Sequence, residues 1–493
     1  TGYYRIPYLP PGSYRLSFEL PGFATHVREG VVLRAGANFA VDAFMKISGI
    51  QETITVTSET PMLEIAKPSN VLNVEGDFQR DMPIQAKRNW SDFLELTPGV
   101  HARTFDDGSG RMAYFGHGAD LWSNVIQLEG MVASSNKDAQ VAQVSMGADM
   151  IQDVQVKSGG VDAASPNSTG LVINVVTPRG GNDFSGTVGY AYQPFQWNGD
   201  NAPTEGNFSG TPTTQKVNQL DASLGGPIVR DKAWFFGSFR VSYLENGISR
   251  SPQQLAILES FSGMPLGGGR GSLPEFEPFD NVSESFQPYV KLTVQLDPNH
   301  ELSGFYQRDH VSRSIGWDAE FERINWTMSG GNLYGAKLTS IWGSTTTSQM
   351  TFGYNDKTSQ SDIDKFEQRT GPEIVIHESF VESAGTLRGT GALAYGNNVP
   401  RVNQFPASLW MIRADLTHYR EGWGGSHEFQ GGAFLQPRNK RDAYFQFSNF
   451  DGDGWNVEEH RLLDPENPSL GTVPFLRDRR DVEFLQTQSN RDR

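Results

Sequence analysis

The sequence predicts a mainly β chain: part of a small β-sandwich, a compact α+β unit, then the first strands of a transmembrane antiparallel β-barrel. Three observations carry that prediction. From Phe184 onward, apolar and polar residues alternate through nine segments. The connections between those segments are alternately short and long, as in barrels with tight turns at one rim and long loops at the other. Gly (53), Phe (31) and Tyr (15) are abundant, while no apolar run approaches the roughly 18 residues that mark a membrane helix.

Charge and cysteine content narrow the function classes. Lys and Arg total 41 against 57 Asp and Glu, a net charge of -16, which repels phosphate over most of the surface and excludes a nucleic-acid footprint. With no cysteine, disulfide scaffolds, thiolate metal sites and cysteine nucleophiles are excluded. The chain opens at Thr1 in mid-pattern, without a start Met or signal peptide, so it is expected to be truncated.

Residues 1–48 read as strand, turn, strand, turn, with Pro11-Gly12 and Pro21-Gly22 as punctuation. A further strand pair is expected at Gly30–Arg34 and Asn38–Lys46, completing part of an antiparallel sandwich with one wet face. Residues 49–68 form a linker that carries an extended stretch, Gln51 to Ser58, before Pro61 and Pro68. Residues 69–182 change to mixed texture. A short helix is expected over Arg88–Thr97, ended by Pro98-Gly99, followed by strands at Asn124–Leu128, Ile151–Val156 and Leu171–Val176.

Residues 183–493 hold the barrel strands. Val188, Tyr190 and Tyr192 alternate with Thr187, Gly189 and Ala191; Val290, Leu292 and Val294 with Lys291, Thr293 and Gln295; Tyr334, Ala336 and Leu338 with Lys337 and Thr339. Phe235, Phe239, Val241 and Tyr243 share a face that Trp234 and Phe236 blur on the other side. The remaining segments centre on Leu220, Glu301–Asp309, Phe352, Ile412 and Phe429–Gln436. Nine strands leave open edges, which lipid does not tolerate. At about 34 residues per strand, a plugged barrel of about 22 strands implies a native protein of about 930 residues.

Several motifs give this order of parts a family likeness. Gly2, Tyr4, Leu9 to Gly12, Tyr14, Leu16, Gly22 and Phe23 resemble the carboxypeptidase regulatory-like domain. Leu94-Glu-Leu-Thr-Pro-Gly-Val100, Asn124-Val-Ile-Gln-Leu-Glu-Gly130, Asp153-Val-Gln-Val156 and Gly170 through Gly186 resemble the plug of a TonB-dependent outer-membrane receptor. Glu129 is a conservative departure, since that motif usually ends Asp-Gly. Gly225-Gly-Pro-Ile-Val-Arg-Asp-Lys-Ala-Trp-Phe-Phe236 is similar to the family's first periplasmic turn. At Tyr114-Phe-Gly-His-Gly118, relatives often carry Arg-Gly instead. The order of sandwich, linker, plug and barrel is most similar to the Oar-like and SusC-like branch, truncated at both ends.

The resemblance implies an energised receptor in the bacterial outer membrane. It would import a scarce or bulky ligand such as an oligosaccharide, peptide or siderophore. Its implied partners are TonB with ExbB and ExbD on the periplasmic side, outer-membrane lipid, the extracellular ligand and a surface lipoprotein of the kind SusC-like relatives often have. Glu52, Thr53, Ile54, Thr55, Val56 and Thr57 match the TonB box in sequence and position. The β-branched run suits strand addition, with main-chain hydrogen bonds giving affinity; the plainer alternative is the last strand of the sandwich. His117 and Trp122 at the plug apex, with Phe450 and Trp455 in a later loop, are candidate ligand contacts.

Asn449 through Glu459 invites a calcium-loop reading, but its first position is not acidic and its twelfth is His460; an Asp-Gly turn explains it equally well. No His-Glu-x-x-His, Gly-x-Ser-x-Gly or phosphate loop is present. The chain is therefore expected to be no enzyme and to need no cofactor or metal. The reading from a different class is a surface adhesion or structural β-protein that binds without transport.

Overall fold

The computed structural model describes residues 4–37, 40–47, 53–56, 70–76, 78, 90–104, 112–116, 118–119, 123–134, 145–159, 165–166, 168–197, 215–248, 255, 258–259, 262–263, 272, 274–315, 325–361, 373–378, 392–395, 402–404, 406–422, 424–446, 450–451, 455–464, 467–477 and 485–488. Strands dominate it.

At the N-terminus, β1 (Gly12–Phe18), β2 (Thr25–Leu33) and β3 (Thr53–Val56) make one sheet in that order. β1 and β2 are antiparallel, whereas β3 lies parallel to β2. Two expected strands differ. Residues 4–10 are irregular, because Pro7 and Pro10 cannot donate to a ladder. Residues 40–46 form no ladder; what remains is the Phe23–Ile47 bridge and the Ala24 N–H donating to the Lys46 carbonyl, while β3 takes the edge of β2 at Thr25–Arg28.

An inner unit follows: β4 (Asn70–Glu75), β5 (Val100–Thr104), β6 (Met112–Gly116), β7 (Val125–Leu128), β8 (Met131–Val132), β9 (Asp153–Gly159) and β10 (Val172–Val176). Its main sheet runs β4-β9-β10-β7-β8, and β5 pairs with β6. β10 lies parallel to β7 and antiparallel to β9, so Ile126, Leu128, Val154, Val156, Ile173 and Val175 are all buried in one core. The helix expected over Arg88–Thr97 is a single 3-10 turn, Asp92–Leu96. It is short because Thr97, before Pro98, is extended and Gly99 takes φ 78°. Trp90, Phe93 and Leu94 anchor it in the core.

The strands that follow are β11 (Ser185–Gln193), β12 (Gln215–Val229), β13 (Ala233–Asn246), β14 (Asn281–Asp297), β15 (His300–Arg308), β16 (His310–Ile315), β17 (Asn325–Gly330), β18 (Asn332–Trp342), β19 (Thr346–Asn355), β20 (Thr358–Ser361), β21 (Glu373–Glu378), β22 (Ala392–Tyr395), β23 (Val402–Gln404), β24 (Ala407–Glu421), β25 (Ser426–Gln446), β26 (Phe450–Asp451), β27 (Trp455–Asp464), β28 (Asn467–Arg477) and β29 (Leu485–Gln488), and the largest sheet among them is the wall. The main path is β11-β12-β13-β14-β15-β18-β19-β24-β25, the nine strands expected from the alternation. β16, β17 and β20 branch from β14, β23 and β29 pair with β25, and β21, β22, β26, β27 and β28 make a separate sheet.

The alternation sorts the wall into two faces. Val188 (81% exposed), Leu224, Val290, Leu292, Met350, Phe352 and Leu416 project outward, while Gln219, Arg240, Lys291, Thr293 and Thr351 are buried on the inner face. Apolar-out and polar-in is the pattern of a lipid-facing barrel. Aromatic clusters mark both rims. Tyr334 meets Tyr306 and Tyr354, and Tyr354 meets Trp410, at ring separations of 5.0, 6.2 and 4.7 Å; at the short-turn end Trp342 packs on His300 at 5.0 Å. Tyr334 and Trp342 are eight residues apart, roughly 26 Å along a strand and about 20 Å across a bilayer at the usual tilt, near the expected apolar band.

The inner unit rests on that inner face. Phe236, Tyr289, Leu333, Leu409 and Met411 of the wall join its core. Phe236, which blurs the sequence pattern, is buried there against Tyr289. Met131 sits over Gly335 and Gly353, which are registered partners on β18 and β19; a Cβ on either would collide with its side chain.

Candidate functional site: the coupling strand and the seat of the inner unit

Of the candidate coupling residues, Thr53, Ile54, Thr55 and Val56 form β3, paired with Thr25, His26, Val27 and Arg28 of β2. Glu52 and Thr57 lie outside the described residues, as do His117 and Trp122. Phe450 and Trp455 fall on β26 and β27, where Phe450 pairs with Asn456 and Asp451 with Trp455. The structure places these two in the separate sheet and does not bring them to β3.

The sheet holding β3 docks on the inner unit through one turn. Asp153 Oδ2 accepts the Ala35 N–H at 2.6 Å, and Gln155 Nε2 donates to the Ala35 carbonyl at 2.6 Å. Both side chains leave the same face of β9, two residues apart, and together they hold both main-chain groups of one residue. Gly36, at φ 68°, lets the turn lie flush, since a Cβ there would collide with Gln155. Arg34 pairs with Glu75 beside it.

Burial raises the Asp153 pKa to about 6, against the opposing pull of the Ala35 and Val154 amides and of Arg34; Glu75 adds to the rise. A carboxyl whose pKa is raised on docking favours the docked state below its ordinary pKa, and that contribution is lost as pH rises through the raised value. Docking is therefore strongest below about pH 4 and weakens between about pH 4 and 6. The expected result is amide protection of Ala35 that is roughly 10- to 100-fold lower at pH 7 than at pH 4 after intrinsic-rate correction. Asp153→Asn flattens that profile, and a wild-type profile already flat contradicts the assignment.

A second contact fixes the inner unit to the wall. Glu129, at φ 55° in the turn between β7 and β8, is buried with its Oε1 2.8 Å from Lys291 Nζ and its Oε2 3.1 Å from Lys337 Nζ. Thr177 donates to Oε1 from its N–H and its hydroxyl, at 2.8 and 2.6 Å, and the Thr177 hydroxyl meets Tyr289 Oη at 2.7 Å. Burial opposes ionisation of Glu129, but the two ammonium groups and these hydrogen bonds outweigh it and hold the carboxyl well below its usual range.

Toward the long-loop end, the segment around Ser145 is clamped. Gln287 Nε2 donates to Ser145 Oγ, and Arg240 donates to the Met146 carbonyl while paired with Asp221. Asp309 accepts the Ser145 and Gly331 N–H groups and pairs with Lys357 at 2.6 Å, both side chains fully buried. In the sequence Lys291 and Lys337 are polar positions of the alternation, with nothing nearby that names a partner. Their signal was there, since each is a cation on the inward face of a strand whose outward face is apolar.

No family model matches the chain. In sequence it is similar to the TonB-dependent transporter Oar of Myxococcus xanthus, 29% identical over 323 residues, 61% of this chain and 29% of that protein. In fold it is similar to the crystal structure of the outer membrane transporter YddB from Escherichia coli, with a TM-score of 0.54 at 12% identity, covering 82% of this chain and 52% of that one. The chain thus spans less than a third of the first relative and about half of the second. Both are transporters, not enzymes. These likenesses, added to a wall whose apolar face turns outward and whose inner face packs on an inner sheet unit, give the chain the fold of an outer-membrane transporter and a sequence similarity to a TonB-dependent one.

Proposed function

We propose that this chain is part of a receptor that imports a scarce or bulky ligand, an oligosaccharide, peptide or siderophore, with energy delivered through TonB. The division follows the sequence: a regulatory-like sheet over 1–48, a linker with the coupling segment over 49–68, a plug over 69–182 and barrel wall from 183. The observation that supports it best is the position of β3. It is an extended β-branched strand with one edge on β2 and, among the described residues, no strand on the other. It carries no Lys, Pro or bulge to protect that edge, which makes it a template for an incoming strand. The parallel pairing with β2 also suits the plainer reading of β3 as a structural third strand.

The test is binding of the purified periplasmic domain of TonB to the full-length receptor. Proline removes a main-chain donor, so Ile54→Pro with Val56→Pro is expected to weaken binding at least 100-fold. No binding by wild type, or equal binding by both, removes the coupling role. Adhesion to a surface that survives the double substitution supports the alternative of a non-transporting binder.

A further inference from the structure

The N-terminal sheet occupies a distinctive place. A cavity of about 1070 Å³ lies at the short-turn end, bounded by Tyr8, Tyr14 and Arg34 of that sheet region and by Glu129, Ser303 and Thr351 of the inner unit and wall. Contacts of two unlike kinds hold the sheet region across it. On the inner unit, Ala35 is gripped at both main-chain groups by Asp153 and Gln155, with Asp153 buried. On the wall, Arg5 pairs with Glu428 at 2.8 Å, and both side chains are about 40% exposed. Exposed pairs of this kind contribute little, whereas the buried hydrogen bonds are costly to break unpaired. β1, whose Gly12 and Tyr14 line the cavity, and the coupling strand β3 flank β2 at opposite edges of the same sheet.

We propose that the N-terminal sheet is a gate over the short-turn mouth of this cavity, seated on the inner unit at Ala35 and latched to the wall by Arg5 and Glu428. The gate rests on the import reading for its purpose, because the cavity then lies on the ligand's way into the periplasm. A pull on β3 acts on the sheet that carries the gate. The weak wall contact yields first and the Ala35 seat holds, so the sheet swings aside from the wall.

The absence of cysteine makes the test direct. Ser303→Cys puts one thiol of this chain in the cavity lining; its reaction with a maleimide of about 2 kDa is followed in the full-length, detergent-solubilised receptor, with any thiols outside these residues replaced. Removing the seat with Asp153→Ala and Gln155→Ala is expected to speed labelling at least tenfold, and Arg5→Ala to speed it several-fold, with smaller changes toward N-ethylmaleimide. Leu171→Cys, buried in the inner unit, stays unlabelled if the unit remains folded. Should the seat variant expose Leu171→Cys, Arg5→Ala alone decides. Labelling by the bulky probe at the wild-type rate, in whichever variant decides, overturns the gate. No TonB is present, so loss of TonB binding to β3 with gated labelling intact would remove the import reading and leave the gate standing.

Discussion

Glu129→Gln is expected to loosen the inner unit from the wall more than any other single substitution in the chain. The amide keeps the shape and the hydrogen bonds from Thr177 but removes the counter-charge that Lys291 and Lys337 share. Lys291 is buried, and an unpaired buried ammonium costs about 3–5 kcal/mol. With a urea slope of about 1–3 kcal/mol per molar, the inner unit's melting midpoint should fall by roughly 2 M in the full-length receptor, read by tryptophan fluorescence. Lys291→Met in the Glu129→Gln background should recover much of the loss, because it removes the stranded charge. Acid should act in the same direction. A carboxyl held below its ordinary pKa contributes at neutral pH, and the contribution is lost as pH falls through the lowered value. A wild-type midpoint in Glu129→Gln would show that the cluster is not the seat.

Lys357→Met is the second large effect, at the other end of the inner unit. It strands the fully buried carboxylate of Asp309 with two main-chain donors, Ser145 N–H and Gly331 N–H, as its hydrogen-bond partners. A cost of about 3 kcal/mol corresponds to about 100-fold faster amide exchange at Ser145 and Gly331. Asp309→Asn added to Lys357→Met should restore protection, since a neutral amide oxygen still accepts and no charge is left. Unchanged exchange in Lys357→Met would mean that the Ser145 segment is held by Gln287 and Arg240 instead.

The wall was legible because its signal is local. Each lipid-crossing strand must put every second residue into hydrocarbon, so Val290 and Leu292 on one side and Lys291 and Thr293 on the other announce themselves within one strand. What failed were segments whose state depends on neighbours. Arg88–Thr97 has helical spacing, yet three buried anchors and an extended Thr97 leave a single 3-10 turn. Asn38–Lys46 looks like a strand, but its described residues make no ladder, and a segment further along the chain, β3, takes the edge of β2 at Thr25–Arg28. In the seat, the sequence marked Glu129 as a departure and Lys291 as a polar position. Joining them needs a contact across 162 residues, which no periodicity encodes.

Met131 rests where two glycines face one another across neighbouring strands. That bare patch does not belong to either strand alone, and it comes into being once β18 and β19 have zipped in register. The bare patch therefore needs the seventh strand of the main path, and Leu409 and Met411 of the eighth complete the berth. Chain order here becomes building order: the inner unit, synthesised before the wall, must wait as an unseated lodger for a doorway finished more than two hundred residues after Met131.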